Sequence, residues 1–251
     1  MKKNKKTDVM GVIEHLAEFR KRLIIVIVYF AIITLVSFNF SDNIVKLMIE
    51  SAQELGYQLV YLAPGELLSQ YIKLSIICGI VFSSPIILVQ TWSFIRPGLK
   101  KSESTIGFLT LFAGLICFLI GAIFSYIIVM PLILSFFINI DQYQTVAATI
   151  SIQNYLNFVF STLISFGIVF EMPIITVMLT QIGLLKPQWL IKSRRIVIVV
   201  IFVVGAIITP PDIISQILIS IPMLILFEIS IILSKIINRK KIKKDIELGY
   251  D

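Results

Sequence analysis

Carboxylates set in apolar or basic company are the residues of this sequence whose types and spacing could do chemistry. Glu171 lies in the stretch GIVFEMPIITV, and the nearest charges along the chain are Asp141 and Lys186. A charge at the centre of a bilayer costs at least about 2.5–3.5 kcal/mol on insertion scales. A carboxylate there is therefore protonated, paired, or exposed to a polar cavity. The plain reading is a neutral hydrogen-bonded helix contact, and the functional one is a polar group lining a cavity that receives a partner. Intramembrane carboxylates are functional by default, which favours the second. A proton site in an ion-coupled secondary transporter is the alternative. It calls for matched Gly/Pro interruptions in two repeated halves, and no internal repeat is visible in the sequence.

A second group precedes the first apolar run. Glu14 and Glu18 are spaced i,i+4, as are Glu18 and Arg22, and Glu103 stands in another basic stretch. Intrahelical ion pairing accounts for such spacing at a few tenths of a kcal/mol per pair. Presentation of carboxylates to a cationic peptide accounts for it equally, since arginine bonds a carboxylate bidentately. The residues alone leave both open.

Catalytic and metal chemistry find no such footing. His15 is the only histidine, and Cys78 and Cys117 fall in separate apolar runs. There is no H-E-x-x-H, C-x-x-C or G-x-S-x-G, and PGLKKS lacks the spacing of a phosphate loop. The expectation is a protein that is not an enzyme and carries no cofactor or metal.

The elements that must position these groups are apolar. The 251 residues are 57% hydrophobic and 15% charged, with mean hydropathy +0.96. Soluble domains lie nearer half and a quarter. Six spans are expected, at Leu23–Phe40, Leu74–Ile95, Ile106–Ile128, Tyr155–Ile182, Ile196–Ile208 and Ile213–Leu233. Lipid leaves no backbone group unpaired and period-2 alternation is missing, so the spans are helices. The fold class is all-α: a polytopic membrane protein of six helices, bent by Pro85, Pro131, Pro173 and Pro222 into a concave bundle, with the last two helices short. Ile196–Ile208 is only about 20 Å of helix against about 30 Å of hydrocarbon. That hairpin is expected to thin the bilayer beside it. The chain divides into an N-tail at 1–22, a membrane domain at 23–233 and a basic C-tail at 234–251.

Twenty of the 22 Lys and Arg fall in the two tails and the second and fourth loops; only Lys46 and Lys73 lie on the other side. The positive-inside rule then places both termini in the cytoplasm, with the first span uncleaved. The same bias accounts for the net charge of +7, and a nucleic-acid partner is not expected. The C-terminal NRKKIKKD could touch anionic lipid.

EHLAEFRKRL before the first span, QTWSFIRPGLKKSE after the second, FGIVFEMPI in the fourth and ITPPDIISQ between the last two resemble the TatC family. That family is the six-span receptor subunit of the twin-arginine protein translocase. The resemblance runs from about residue 12 to about 235, in the family's order and spacing. It implies a multi-pass protein of the bacterial cytoplasmic membrane that binds twin-arginine signal peptides of folded cargo. It also implies recruitment of TatA and, where present, TatB single-span subunits, and a homo-oligomer in the complex. Residue by residue, Glu18 and Glu103 match the carboxylates that engage the signal arginines, and Arg20, Arg22 and Phe94 match their neighbours. Glu171 matches the polar residue of the membrane cavity, and Asp212 the acidic residue after the paired prolines. Two positions depart from the pattern: Ser51 stands at the approximate site of a common proline, and Ser151 where some members have an aspartate before the fourth span.

Overall fold

The structure, a computed structural model, describes residues 4–95, 101–140, 149–208 and 212–247. Helices make up nearly all of it. By contacts the chain forms two compact units, one of Met1–Val45 with Tyr71–Phe108, the other of Lys46–Gln70 with Leu109–Asp251.

In the first unit, α1 (Asn4–Glu54) and α2 (Glu66–Ile95) run antiparallel. Their register can be followed through four contacts, whose α1 positions fall as the α2 positions rise. Tyr71 donates to Asp42 Oδ1 at 2.7 Å. A Cβ added to Gly79 would collide with Thr34 Oγ1, so the absence of a side chain lets the helices close there. Arg22 Nη1 donates to the Gln90 carbonyl at 3.1 Å, and the rings of Phe19 and Phe94 lie 5.4 Å apart.

α1 outruns the expected span Leu23–Phe40 because its continuation is amphipathic. Ser41, Val45, Met48 and Ala52 make one buried stripe at helical spacing. Ser51 stays within this helix, with its hydroxyl 3.0 Å from the Leu47 carbonyl and 2.9 Å from Tyr126 Oη.

The second unit holds the remaining helices. α3 (Lys101–Phe124) passes through a π-helical turn at Ser125–Val129 into α4 (Met130–Ile140). Pro131 explains the widening: its ring would clash with the carbonyl four residues back, and an i→i−5 turn, closed by Met130 N–H on the Ser125 carbonyl, makes room. The expected fourth span is two helices, α5 (Ile152–Phe170) and α6 (Met172–Ile182), the latter ended by Gly183 at φ 88°. α7 (Pro187–Ile208) and α8 (Ile213–Glu247) complete the order. The core gathers Val129, Ile133, Phe166, Ile201, Ile219, Met223 and Phe227 from the π turn, α4, α5, α7 and α8. Thr180 and Ser234, both buried, hydrogen-bond at 2.7 Å between α6 and α8.

Three expectations change in detail. The last two apolar runs are short, but the helices that carry them have 22 and 35 residues. The flanking Lys and Arg are good helix formers and prolong them. Five helices are long and apolar enough on their own to cross a membrane among the described residues. The helix with Ile196–Ile208 falls short because Lys192, Arg194 and Arg195 occupy its first half. The class stays helical, yet β1 (Gln58–Val60) pairs in parallel with β2 (Thr149–Ser151), Gln58 opposite Thr149.

Candidate functional site

The antiparallel register of α1 and α2 assembles most of the N-terminal cluster. Glu18 and Arg22 sit one turn apart on α1 and form an ion pair through Arg22 Nη2 and Glu18 Oε1. The second guanidinium nitrogen of half-buried Arg22 reaches the Gln90 carbonyl on α2. One arginine thus holds the carboxylate and ties it to the neighbouring helix. Beside it, Phe94 of α2 packs its ring at 57° to that of Phe19. Arg20 is exposed. Glu103 lies in the first turn of α3, and its side chain is outside the described residues. The arrangement can offer carboxylate oxygens to a cation, with an aromatic pair alongside for apolar contact.

Glu171 occupies the break between α5 and α6. Pro173 has no N–H to give the Val169 carbonyl, so the ladder shifts there. Glu171 N–H bonds Ile168 O at 3.1 Å, and its own carbonyl accepts from Ile175 N–H at 2.9 Å. Its side chain is half-buried. Close packing fixes the site: Phe166 and Phe170 both stack on Phe124, at 5.9 and 5.3 Å. A Cβ on Gly121 would come within 2.6 Å of the Phe166 carbonyl.

Asp212 has a local task. It N-caps α8, accepting from Ser215 N–H at 2.7 Å on Oδ1 and from the Ser215 hydroxyl on Oδ2. Ser151, buried at the start of α5, sits 3.5 Å from Glu66 Oε2.

Sequence reasoning missed two carboxylates. Glu66 is 7% exposed and accepts the Leu62 N–H at 3.2 Å, which shapes the loop before α2. Its signal was a glutamate opening a helix directly after Pro64-Gly65. Glu228 interrupts LILFEISIIL as abruptly as Glu171 interrupts its own run, and it pairs with Arg194 of α7 at 2.7 Å. Phe19 and Gln90 were also missed, because only the helix pairing brings them to Phe94 and Arg22.

Long apolar helices with polar groups confined to their ends, breaks and contacts define a polytopic helical membrane protein. Residues 14–222 match the family described as Sec-independent protein translocase protein (TatC). The chain belongs to this family. It is 39% identical over 237 residues to the TatC of Aquifex aeolicus (strain VF5), covering 92% of this chain and 98% of that protein. It is 35% identical to TatCy of Bacillus subtilis (strain 168), covering 94% and 92%. A crystal structure of the twin-arginine translocase receptor TatC superposes with TM-score 0.78 at 38% identity, over 89% of this chain and 99% of that one.

Proposed function

We propose that the chain is the receptor subunit of a twin-arginine translocase, binding the arginine pair of a signal peptide at Glu18 and Glu103. The observation that carries this reading is the mounting of Glu18 on Arg22, itself tied to Gln90, beside the Phe19–Phe94 pair. A carboxylate held in this way is set to accept charge-assisted bonds, which are roughly twice as strong as neutral ones. Arg20 and Arg22 flank it, and Phe94 offers an apolar surface to the residues next to the arginines. Both termini face the cytoplasm of a bacterial cell, as the Lys/Arg bias requires. TatA- and TatB-type single-span subunits are recruited within the bilayer, where Glu171 gives a polar residue of such a span its mate. The subunit works as one of several copies and catalyses no covalent step. Family membership leaves the proton-coupled transporter reading without support.

Peptide binding to the purified protein tests the proposal. Glu18→Ala and Glu103→Ala each weaken binding of a twin-arginine peptide and leave binding of its twin-lysine counterpart little changed. Unchanged affinity in both single variants and in the double variant rejects the assignment.

A further inference from the structure

One face of α1 carries the Glu18 cluster at its start and an apolar groove further along. The groove, about 520 Å³, lies between α1 and α2 within the first unit. Tyr29, Ile33, Val36, Phe40 and Ile44 line it from α1, and Cys78 and Phe82 from α2. Steps of four, seven, four, three, four and four residues lead from Glu18 through Arg22 to those five side chains. Such spacings keep to one side of a helix. The carboxylate mounted on Arg22 and the groove therefore follow one another along the same face.

Charge along this face has an order too. α1 has no charged residue between Arg22 and Asp42, and α2 has none after Lys73. A signal peptide has the complementary order, a basic stretch and then about 7–15 apolar residues. Lipid leaves no backbone group unpaired, so that segment enters as a helix about 10–22 Å long. Glu18 stands about 7 Å before Leu23, where the apolar run begins, a gap that about two extended residues cross. From the level of Leu23, about 22 Å of helix reaches past Val36. The antiparallel register brings Cys78 and Phe82 to the same stretch, since Gly79 meets Thr34. Val36, Phe40 and Phe82 are exposed there and offer the side chains against which one face of an entering helix packs. Acyl chains are as apolar as such a segment, so packing alone does not prefer the peptide. The tether does. With the arginine pair held at Glu18, contact with the groove becomes intramolecular, at an effective concentration of about millimolar.

We propose that the α1–α2 groove seats the apolar segment of the signal peptide, as a helix packed on Tyr29, Ile33, Val36 and Phe82, once the arginine pair has docked at Glu18. This inference rests on the receptor reading and extends its site from the end of the first span into the bilayer.

The full chain in phosphatidylcholine nanodiscs, with two twin-arginine peptides, tests it. One peptide ends shortly after the arginine pair. The other continues through about 15 apolar residues with a photoreactive phenylalanine at mid-segment. In the wild type, which needs no variant to fold, the label should land on Tyr29, Ile33 or Phe82. Labelling should fall at least about tenfold in Glu18→Ala, where the tether is gone. Cys78→Trp, which fills the groove, should lower the long peptide's affinity about tenfold and leave the short peptide's unchanged. Labels on other helices or on lipid alone overturn the proposal. So does groove labelling that Glu18→Ala leaves undiminished, the mark of a groove that takes any apolar chain. A short peptide whose binding survives both Glu18→Ala and Glu103→Ala refutes the receptor reading itself, and the groove assignment falls with it.

Discussion

Gly121→Ala should destabilise the second unit, and by more than Gly114→Ala on the same helix. A Cβ built at position 121 lies 2.6 Å from the Phe166 carbonyl oxygen and 2.8 Å from Phe170 Cβ. Neither obstacle is the far end of a flexible side chain, so α3 and α5 must separate by several tenths of an ångström. Forcing a methyl group into a packed site typically costs about 1–3 kcal/mol. Gly114, one of the other glycines of α3, has nothing within 4 Å of its added Cβ. Alanine there meets no clash and gains helix propensity of up to about 1 kcal/mol. Gly167→Ala should fall between the two, since its Cβ would strike the ring of Phe118 at 2.5 Å and a ring can turn aside. Thermal unfolding of the three variants in one detergent gives the order directly. A Gly121→Ala midpoint equal to the wild type's, or a Gly114→Ala loss as large, refutes the packing argument. The consequence reaches function because Phe166 and Phe170 form the end of α5 that leads into Glu171.

Asp212→Ala should cost about 1 kcal/mol by removing the α8 cap, with Asp212→Asn recovering most of it, as read by the thermal midpoint. At Glu171, glutamine keeps shape and hydrogen bonding where leucine keeps neither. Transport should therefore survive Glu171→Gln better than Glu171→Leu while both fold normally, and equal transport in the two removes the need for a polar group there. Burial pushes the Tyr57 phenol up to about 12 from its ordinary 10. The folded protein then keeps a proton that the unfolded chain releases. Stability is therefore intact below pH 10 and falls as pH rises from 10 towards 12. Tyr57→Phe, which also gives up the bond to the Leu134 carbonyl, should flatten that slope, and midpoints measured across the range decide it.

The spans were legible because apolar runs of their length have one stable backbone in lipid. A bend near Glu171 was legible from Pro173, a residue with no donor in a place that needs one, but not the division of the span into two helices. Helix ends were not. Hydropathy says where lipid stops, while α1 continues on the stripe Ser41, Val45, Met48 and Ala52, whose burial depends on partners far along the chain. The N-terminal carboxylate was found by its type, but its mounting through Gln90 needed the register of two helices. Glu228 carried the same signal as Glu171, and its meaning rests on a partner 34 positions away. Asp212 was noticed by its place after two prolines, and the structure adds a local reason for it, a helix cap.

The parallel pairing of Gln58–Val60 with Thr149–Ser151 bears on how the protein is made. A ribosome delivers β1 long before β2, and three helical segments have to leave the exit tunnel in between. The second unit draws on residues 46–70 and then on nothing until 109, so its first piece must wait for the rest. Through that wait, the backbone groups of β1, the Tyr57 hydroxyl and the Glu66 carboxylate lack their eventual mates at Ile150, Leu134 and Ser151. Non-local pairing of this kind is slow because loop closure precedes any reward. The region around β1 therefore matures late in biogenesis, and a nascent chain arrested before residue 149 would leave it accessible to proteases and to holding chaperones.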